Sequence, residues 1–274
     1  MARCWAYSLG GCDSMSGEHV ISNAIFSAGC DCPVVIEGVR RIRDGSPTHN
    51  AEKSNILCRR HNSMLSPLDS SIGRVAKFQA ASQDPAFNDR LYLDGHLLER
   101  WLFKSVVNLA AAGWLGQDKL KPAPGLVAAV FGQADFPLGA GLYTVDGIDP
   151  GHSASGGVTV MPMFRMLPEG PSLAGAYVSV HGMGLLACLD DSLAAEIDAG
   201  LVPSAYGRFT PGSSRHLYRP GAVVIGRKEG LPLILAMAWE GLFRFADGTT
   251  ATLAQVEESN RIRSRSDEFS SARS

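Results

Sequence analysis

The sequence lacks the surplus of basic residues that most nucleic-acid-binding proteins carry. Its 25 Lys and Arg residues are balanced by 27 Asp and Glu residues, so the formal net charge is -2 at pH 7. Phosphate contacts require Lys and Arg, and this balance therefore argues against tight, sequence-independent DNA binding by the whole chain. Local basic patches are still available at residues 40–43 and at Arg59 and Arg60.

The sequence also has no long hydrophobic run. No stretch approaches the roughly 18–20 consecutive apolar residues that a membrane span needs. The first residues contain no apolar run followed by a small-residue cleavage site, so we expect no secretory signal and a location in the reducing cytoplasm. In that compartment cysteines serve more often as metal ligands or core residues than as disulfides.

Cysteine is scarce but clustered, because five of the six cysteines precede residue 60. Two local pairs, Cys4 with Cys12 and Cys58 with His61, offer the four nitrogen and sulfur ligands of a closed tetrahedral zinc site. Cys58 and His61 have the spacing of a zinc knuckle, whereas seven residues separate Cys4 from Cys12. These four residues are our predicted ligands for a structural Zn²⁺ ion.

Cys30 and Cys32 provide an alternative for part of this site. They lie between the two predicted ligand pairs. Either thiol can replace Cys4 or Cys12 as a ligand, or both can line the core as small apolar side chains.

Patterning divides the chain into four parts. Residues 1–83 are polar and rich in Cys and His, and residues 117–256 alternate short apolar runs with Gly and Pro, which indicates a β-rich α+β domain. An amphipathic helix within residues 84–116 connects them, and residues 257–274 form a flexible tail rich in Ser and Arg. Strands are predicted at residues 34–43, 54–58, 158–164, 176–181, 222–226 and 233–239.

The connecting helix is the clearest element of the sequence. Apolar residues recur at helical spacing over residues 94–112, and Gly113 is a suitable stop. The buried face is formed by Leu97, Leu98, Trp101, Leu102, Val106 and Leu109. We expect this helix to pack against both halves of the chain, with Glu99, Arg100 and Lys104 on its solvent-exposed face.

Polar residues around the two ligand pairs carry a second pattern. Glu18, His19 and Val20 follow the first pair, Asn55 precedes the second pair, and Asn62 follows it directly. Together with the ligand pairs, this order resembles the HNH nuclease family. Zinc-bearing members of that family have a Cys pair, an acidic-His-aliphatic triplet, an Asn before an apolar strand, and a second pair followed by His or Asn. The resemblance covers residues 4–69, about a quarter of the chain.

The resemblance implies a fold, an activity and a set of roles. The fold is a small zinc-stapled ββα-metal module, a two-stranded ribbon followed by a helix, and the activity is endonucleolytic cleavage. Glu18 would hold a catalytic Mg²⁺ or Mn²⁺ ion, His19 would be the general base, Asn62 would fill the second metal-ligand position, and Asn55 would orient the loop beside His19. His61 stands where a Cys is usual in the family.

Phosphodiester hydrolysis suits these residue types. An imidazole with an ordinary pKa near 6.5 can take a proton from water at neutral pH. Oxygen donors such as Glu18 and Asn62 suit a hard divalent cation that stabilises the leaving oxygen. Adjacent strand residues point to opposite faces, so Glu18 and His19 can serve different partners. The zinc would be structural and would contribute folding energy on the order of 10 kcal/mol.

The sequence therefore predicts a metal-dependent HNH-type endonuclease that acts on nucleic acid, DNA ahead of RNA, while the β-rich domain sets the target. The alternative is a catalytically inactive zinc-stapled module that binds nucleic acid or protein, in which Glu18 and His19 are structural. Asn62 would then cap the helix that follows it. A third possibility is that the β-rich half senses a ligand and the first half responds.

Overall fold

A computed structural model of the chain describes residues 4–25, 34–36, 53–80, 90–115, 121–145, 158–168, 170–180, 183–189, 193, 216–228, 231–245 and 248–261. The described residues form a mixed α+β fold, as the sequence predicts. The strands are β1 (Met15–His19), β2 (Val34–Ile36), β3 (Lys53–Cys58), β4 (Arg90–Asp94), β5 (Gly141–Val145), β6 (Val158–Leu167), β7 (Gly170–Val180), β8 (Met183–Cys188), β9 (His216–Tyr218), β10 (Ala222–Lys228), β11 (Leu231–Ala238), β12 (Leu242–Arg244) and β13 (Thr250–Thr252). The helices are α1 (Arg59–Met64), α2 (Ser66–Ala80), α3 (Gly95–Ala112) and α4 (Pro124–Val130).

The N-terminal part is a two-stranded ribbon followed by a helix. β1 pairs antiparallel with β3, so that Glu18 lies opposite Ser54 and His19 opposite Lys53. The helix α1 begins at Arg59, directly after β3. Strand, strand and helix thus follow in the order that the resemblance implies. This order is a general motif, and it does not by itself identify a family.

The largest sheet has six strands in the order β2-β6-β7-β8-β5-β9. Its neighbours are antiparallel except for β2, which lies parallel to β6 at one edge. β2 comes from the N-terminal part of the chain, so this part contributes a strand to the sheet of the C-terminal part. The rest of the predicted strand at residues 34–43 lies outside the described residues.

A second sheet joins distant segments in the order β10-β11-β4. β11 pairs antiparallel with β10 and parallel with β4, although about 140 residues separate β4 from β11. The hairpin β12–β13 follows, and residues 253–261 are helical. The first residues of the predicted flexible tail therefore lie in a helix, and residues 262–274 lie outside the described part of the chain.

The predicted helix at residues 94–112 is confirmed as α3. Its first turn is capped by the Asp94 side chain, which accepts a hydrogen bond from the His96 amide at 2.9 Å. Its end is marked by Gly113 in the left-handed conformation, with φ of 74°. No helix in the described ranges is both long enough and apolar enough to cross a bilayer.

The helix α3 lies at the centre of the fold, in contact with α2, α4 and strands of all the larger sheets. One hydrophobic cluster extends from Cys4 to Met237, so the described residues on both sides of the predicted boundary at residue 83 share a core. The predicted exposed face of α3 is wrong for Glu99 and Lys104, which are 0% and 1% exposed. Helices and strands surround α3, and each of these two charges has an ion-pair partner within the fold.

Candidate functional site

The four predicted zinc ligands come together where the ribbon meets α1. The Sγ atoms of Cys4, Cys12 and Cys58 lie 3.4, 3.6 and 3.2 Å from His61 Nδ1. All four ligand atoms lie within 4.8 Å of one another, and the three cysteines are free thiols. Three sulfurs and one imidazole nitrogen at this separation form a Cys₃His group that could hold a zinc ion.

The start of α1 builds one half of this group. Cys58 is the N-cap of α1, and its sulfur accepts a hydrogen bond from the His61 amide at 3.5 Å. The Cys58 amide in turn donates to Cys4 Sγ at 3.4 Å. Backbone amides that point at sulfur favour the thiolate form, which is the form that binds metal.

A tight turn accommodates the long spacing between Cys4 and Cys12. A single 3₁₀ turn over Tyr7–Leu9 is followed by Gly10 and Gly11, whose φ angles are 72° and 65°. The positive φ of Gly11 favours glycine there, and a Cβ at this position would displace the flexible Arg60 guanidinium, which lies 2.6 Å away. The seven intervening residues thus fold back and bring Cys12 to the group.

Without a metal ion, the group holds the thiols of Cys4 and Cys12 in the neutral form. Burial and the neighbouring thiols raise the pKa of Cys12 to about 12, and burial also raises the pKa of Cys4. Burial, together with the charge of Arg60, lowers the pKa of His61, so this imidazole has a free lone pair at neutral pH. A bound cation would reverse the effect on the thiols, because it stabilises thiolates.

A second polar group lines a cavity of about 270 Å³ beside the ribbon. Three residues predicted for catalysis, namely Glu18, His19 and Asn62, share this cavity. Its other described lining residues are Ser22, Asn23, Ala24, Ser63, Ser66 and Asp69. Asn55 is exposed on β3 and is not among the described lining residues, so its role stays a prediction.

His19 is held neutral in this cavity. Its Nε2 atom is buried and has no hydrogen-bond partner in the part of the chain that the structure describes. Burial lowers the pKa of His19, and the positive charge of Lys53 lowers it further. His19 lines the cavity, and a neutral imidazole can accept a proton from a molecule that reaches its unprotonated nitrogen.

Glu18 is buried and carries an ion pair. The Lys104 ammonium lies 2.9 Å from Glu18 Oε1. Burial raises the pKa of the Glu18 carboxyl, while the charge of Lys104 and a hydrogen bond from Asn62 oppose that rise. The ammonium therefore favours the ionised carboxylate inside the protein.

Asn62 lies within α1 and does not cap a helix. The cap of α1 is Cys58, and α2 begins four residues after Asn62, at Ser66. The Asn62 side chain donates a hydrogen bond to Ser16 Oγ at 3.2 Å, and this bond connects α1 to β1. The capping alternative for Asn62 is therefore wrong.

The sequence interpretation missed four polar residues next to the predicted ones. Lys104 Nζ lies 2.8 Å from both carboxylate oxygens of Asp69, and the Ser22 hydroxyl donates to Asp69 Oδ1. Trp101 Nε1 donates to Ser22 Oγ at 2.9 Å. One signal was present in the sequence, because Lys104 lies three residues after Trp101 and thus shares its helical face.

Some predicted elements of the site lie outside the described residues. Cys30 and Cys32 are among them, so the alternative zinc ligation that involves these thiols stays a prediction. The four residues that do come together are the ones that the knuckle spacing and the flanking pattern favoured.

Comparison of the chain with models of known protein families, with curated proteins and with solved structures found no match. The resemblance to HNH nucleases therefore rests on the residues of this chain and on their arrangement. Function has to be argued from the chemistry of the two polar groups.

Proposed function

We propose that this chain is a metal-dependent endonuclease of HNH type, which hydrolyses phosphodiester bonds in nucleic acid. One observation carries the proposal: a single polar cavity gathers Glu18, His19 and Asn62 on the ribbon and helix that the Cys₃His group joins. An imidazole, a carboxylate and an amide around one cavity match the needs of phosphodiester hydrolysis, in which a water molecule is deprotonated next to a charged phosphate.

His19 is the general base in this proposal. Its lowered pKa leaves the ring neutral at pH 7, and its buried Nε2 has no hydrogen-bond partner among the described residues. The imidazole neither donates to nor accepts from a described neighbour at that atom, so no existing hydrogen bond has to break first. A positioned base of this kind typically contributes 10²–10⁴-fold to a rate, as an order-of-magnitude figure.

The donor set of the cavity fits a Mg²⁺ or Mn²⁺ ion. The Glu18 carboxylate and the Asn62 amide oxygen are hard oxygen donors, and both residues line the cavity. When bound, such an ion supplies positive charge to the scissile phosphate and its leaving oxygen. The Asn62 nitrogen donates to Ser16 and to the Glu18 carboxylate, which fixes the amide beside the carboxylate, and a rotation of the amide would present its oxygen to the ion.

The Cys₃His group would hold a structural Zn²⁺ ion. It ties Cys4 and Cys12, which precede β1, to the junction of β3 and α1. The two segments that carry Glu18 and Asn62 are thereby fixed to each other. Binding free energy of a structural zinc ion contributes directly to folding, on the order of 10 kcal/mol in small zinc modules.

A catalytically inactive binding module is the second candidate function. The observation that favours it is the ion pair between Lys104 and Glu18, which are 2.9 Å apart. This ammonium neutralises the carboxylate and so lowers the affinity of Glu18 for a divalent cation. Such a module would keep the zinc and bind nucleic acid or protein without cutting it. The net charge of -2 also favours a weak nucleic-acid binder over a tight one.

Cleavage assays separate the two candidates. Purified protein is incubated with supercoiled plasmid, single-stranded DNA or single-stranded RNA, with Mg²⁺ or Mn²⁺, and compared with His19→Ala. The control is His96→Ala, because His96 is half-exposed on α3 and is not among the described residues that line the cavity. Cutting that is lost in His19→Ala and retained in His96→Ala supports the nuclease. Equal traces of cutting in wild type and His19→Ala would overturn it.

The same assay tests Asn55. Its exposed position on β3, apart from the described residues of the cavity, predicts that Asn55→Ala keeps most of the wild-type rate. A loss as large as that of His19→Ala would show that Asn55 acts at the cavity, as the family resemblance implies.

A further inference from the structure

A lysine ammonium lies between the two carboxylates of the cavity. Lys104 Nζ is 2.9 Å from Glu18 Oε1 and 2.8 Å from each oxygen of Asp69. The Lys104 side chain is 1% exposed and that of Asp69 is 30% exposed. A single positive charge thus bridges two carboxylates, one buried and one that faces the solvent.

The ammonium approaches these carboxylates from the protein side. Glu18 and Asp69 line the cavity, whereas Lys104 is not among the described residues that line it. Lys104 belongs to α3, the buried central helix, and Trp101 on the same face donates to Ser22, which donates to Asp69. Lys104 and Ser22 therefore hold the two carboxylates, and Trp101 in turn holds Ser22 from the interior.

The net charge of this cluster limits its affinity for a metal ion. Two ionised carboxylates and one ammonium give a net charge of about −1. Without Lys104, the two carboxylates would carry −2 at close range, and this arrangement binds a divalent cation strongly. A phosphodiester that enters the cavity adds one negative charge. The net charge then returns to about −2, and the affinity for a divalent cation rises again.

We propose that Lys104 is a resident cation that makes divalent-cation binding at this cavity conditional on a bound phosphodiester. The inference rests on the proposed nuclease function and names a regulation of the same site. The free protein binds Mg²⁺ or Mn²⁺ weakly, and cation and nucleic acid bind cooperatively, each raising the affinity of the other by the same factor. Lys104 is a positioning residue and does not touch the substrate.

The first test measures cation binding without nucleic acid. Free Mn²⁺ is titrated by electron paramagnetic resonance into zinc-loaded wild type, Lys104→Met and Lys104→Arg. We expect Lys104→Met to bind Mn²⁺ at least about tenfold more tightly than wild type, since two carboxylates then face each other uncompensated. Lys104→Arg keeps the charge and is expected to match wild type. The inference is overturned when Lys104→Met binds no more tightly than wild type.

The second test measures whether a bound oligonucleotide raises the affinity for Mn²⁺. A short single-stranded DNA oligonucleotide is added to His19→Ala protein, which cannot cut it under the proposed mechanism. We expect the oligonucleotide to tighten Mn²⁺ binding several-fold in His19→Ala, and much less in His19→Ala/Lys104→Met. Equal tightening in both variants overturns the inference.

Folding controls keep the test decisive. Lys104→Met leaves two uncompensated carboxylates, so its thermal midpoint is followed with and without Mn²⁺, and we expect Mn²⁺ to raise it more than in wild type. A Lys104→Met chain that stays unfolded at saturating Mn²⁺ overturns the inference, because a divalent cation in that place would restore the fold. Asp69→Asn removes a partly exposed charge, and we expect it to abolish the residual Mn²⁺ binding of wild type.

The outcome is independent of cleavage. Mn²⁺ affinities and thermal midpoints report on Lys104 even if wild type cuts no nucleic acid. If wild type cuts no nucleic acid but the Mn²⁺ affinities change as expected, the nuclease proposal is rejected and the inference about Lys104 stands. If wild type cuts nucleic acid but Lys104→Met binds Mn²⁺ with the affinity of wild type, the inference about Lys104 is rejected and the nuclease proposal stands.

Discussion

The protonation state of His19 decides whether the cavity can act as a base. Its ring is partly buried beside the positive charges of Lys53 and Lys104, and burial is the larger influence on its pKa. Asp69 opposes these influences, but the pKa of His19 stays below the ordinary value of 6.5. The lowered pKa extends the range in which the neutral, proton-accepting ring is populated toward lower pH.

Under the proposed function, the pH dependence of cleavage follows from this shift. In the presence of Mn²⁺, we expect the cleavage rate to change little with pH around pH 7. The rate falls as the pH drops below 6.5, because His19 is then protonated around its lowered pKa. Initial rates on plasmid between pH 5 and 8 measure this. A half-maximal rate above pH 6.5 would contradict the assignment of His19 as the base.

The charge of Lys53 provides a control for this prediction. Lys53→Gln removes a charge that lowers the pKa of His19, so the acid limb of the rate profile moves to higher pH. Lys77→Gln removes an exposed lysine of α2 that is not among the causes of the His19 shift, so the limb stays in place.

The sequence predicted only part of the side chains of the site. The Cys₃His group and the residues Glu18, His19 and Asn62 lie in local patterns, and local spacing is what a sequence displays directly. Lys104 and Asp69 are 35 positions apart, and a lysine on a helix predicts a solvated side chain until the helix is known to be enclosed. Their pairing depends on the packing of α3 against α2, which no local pattern encodes.

Zinc loading of the Cys₃His group has a measurable proton balance. Both Cys4 and Cys12 have raised pKa values in the metal-free protein, that of Cys12 about 12, so both are protonated at pH 7. Zinc binds thiolates, and we expect at least two protons to be released for each zinc ion bound. A pH indicator in weakly buffered solution measures the release during titration of the metal-free protein.

Two serine variants check the source of these protons. Cys12→Ser is expected to release fewer protons and to bind zinc more weakly. Cys188→Ser is the matched control, because Cys188 is a buried cysteine of β8 that lies outside the group. Stoichiometric zinc binding without proton release would exclude the Cys₃His group as the site.

The start of α3 depends on a glycine. A Cβ at Gly95 would lie 2.7–2.8 Å from three ring atoms of Trp239, which is closer than packed carbon atoms approach. We expect Gly95→Ala to lower the free energy of unfolding by about 1–3 kcal/mol, because the indole has to move. Denaturant titration followed by far-UV circular dichroism measures this change.

Gly125 in α4 is the matched control for Gly95. A Cβ there would meet no heavy atom within 4 Å, and alanine favours a helix over glycine by up to about 1 kcal/mol. Gly125→Ala is therefore expected to be neutral or stabilising. Equal effects of the two substitutions would contradict the packing of Trp239 on the first residue of α3.

Helices and strands with strong apolar patterns were predicted closely, and those that depend on pairing were not. The predicted strand at residues 176–181 begins at Gly170 in the structure, because residues such as Ser172 pair with β6 despite their low intrinsic preference for strands. β4 starts four residues before the predicted helix, and its five residues pair with β11. Partners so distant in sequence leave no local signal.

The chain as a whole is organised around α3. β2 and β4 come from the N-terminal half and join sheets whose other strands come from the C-terminal half. The buried Glu99 carboxylate connects the two halves, since it pairs with Arg219 Nη2 at 2.8 Å and accepts a hydrogen bond from the Leu142 amide at 3.0 Å. We therefore expect the described parts to unfold together.

The Glu99–Arg219 ion pair tests this expectation. Arg219→Met leaves a fully buried carboxylate without its cation, and we expect a loss of about 3 kcal/mol in unfolding free energy, at the lower end for such pairs because Arg219 is 29% exposed. The matched comparison is Glu257→Gln, which weakens an exposed ion pair with Arg74 and is expected to cost less than about 1 kcal/mol.

The shape of the unfolding curve then decides how the halves are coupled. If α3 unites them in one cooperative unit, Arg219→Met shifts a single transition that is the same by near-UV and far-UV circular dichroism. Glu99→Gln/Arg219→Met should recover part of the loss, since it removes the uncompensated charge along with its partner. If Arg219→Met instead splits the curve into two transitions, the ion pair couples parts that can fold separately, and the boundary predicted between residues 116 and 117 marks a real division of the chain.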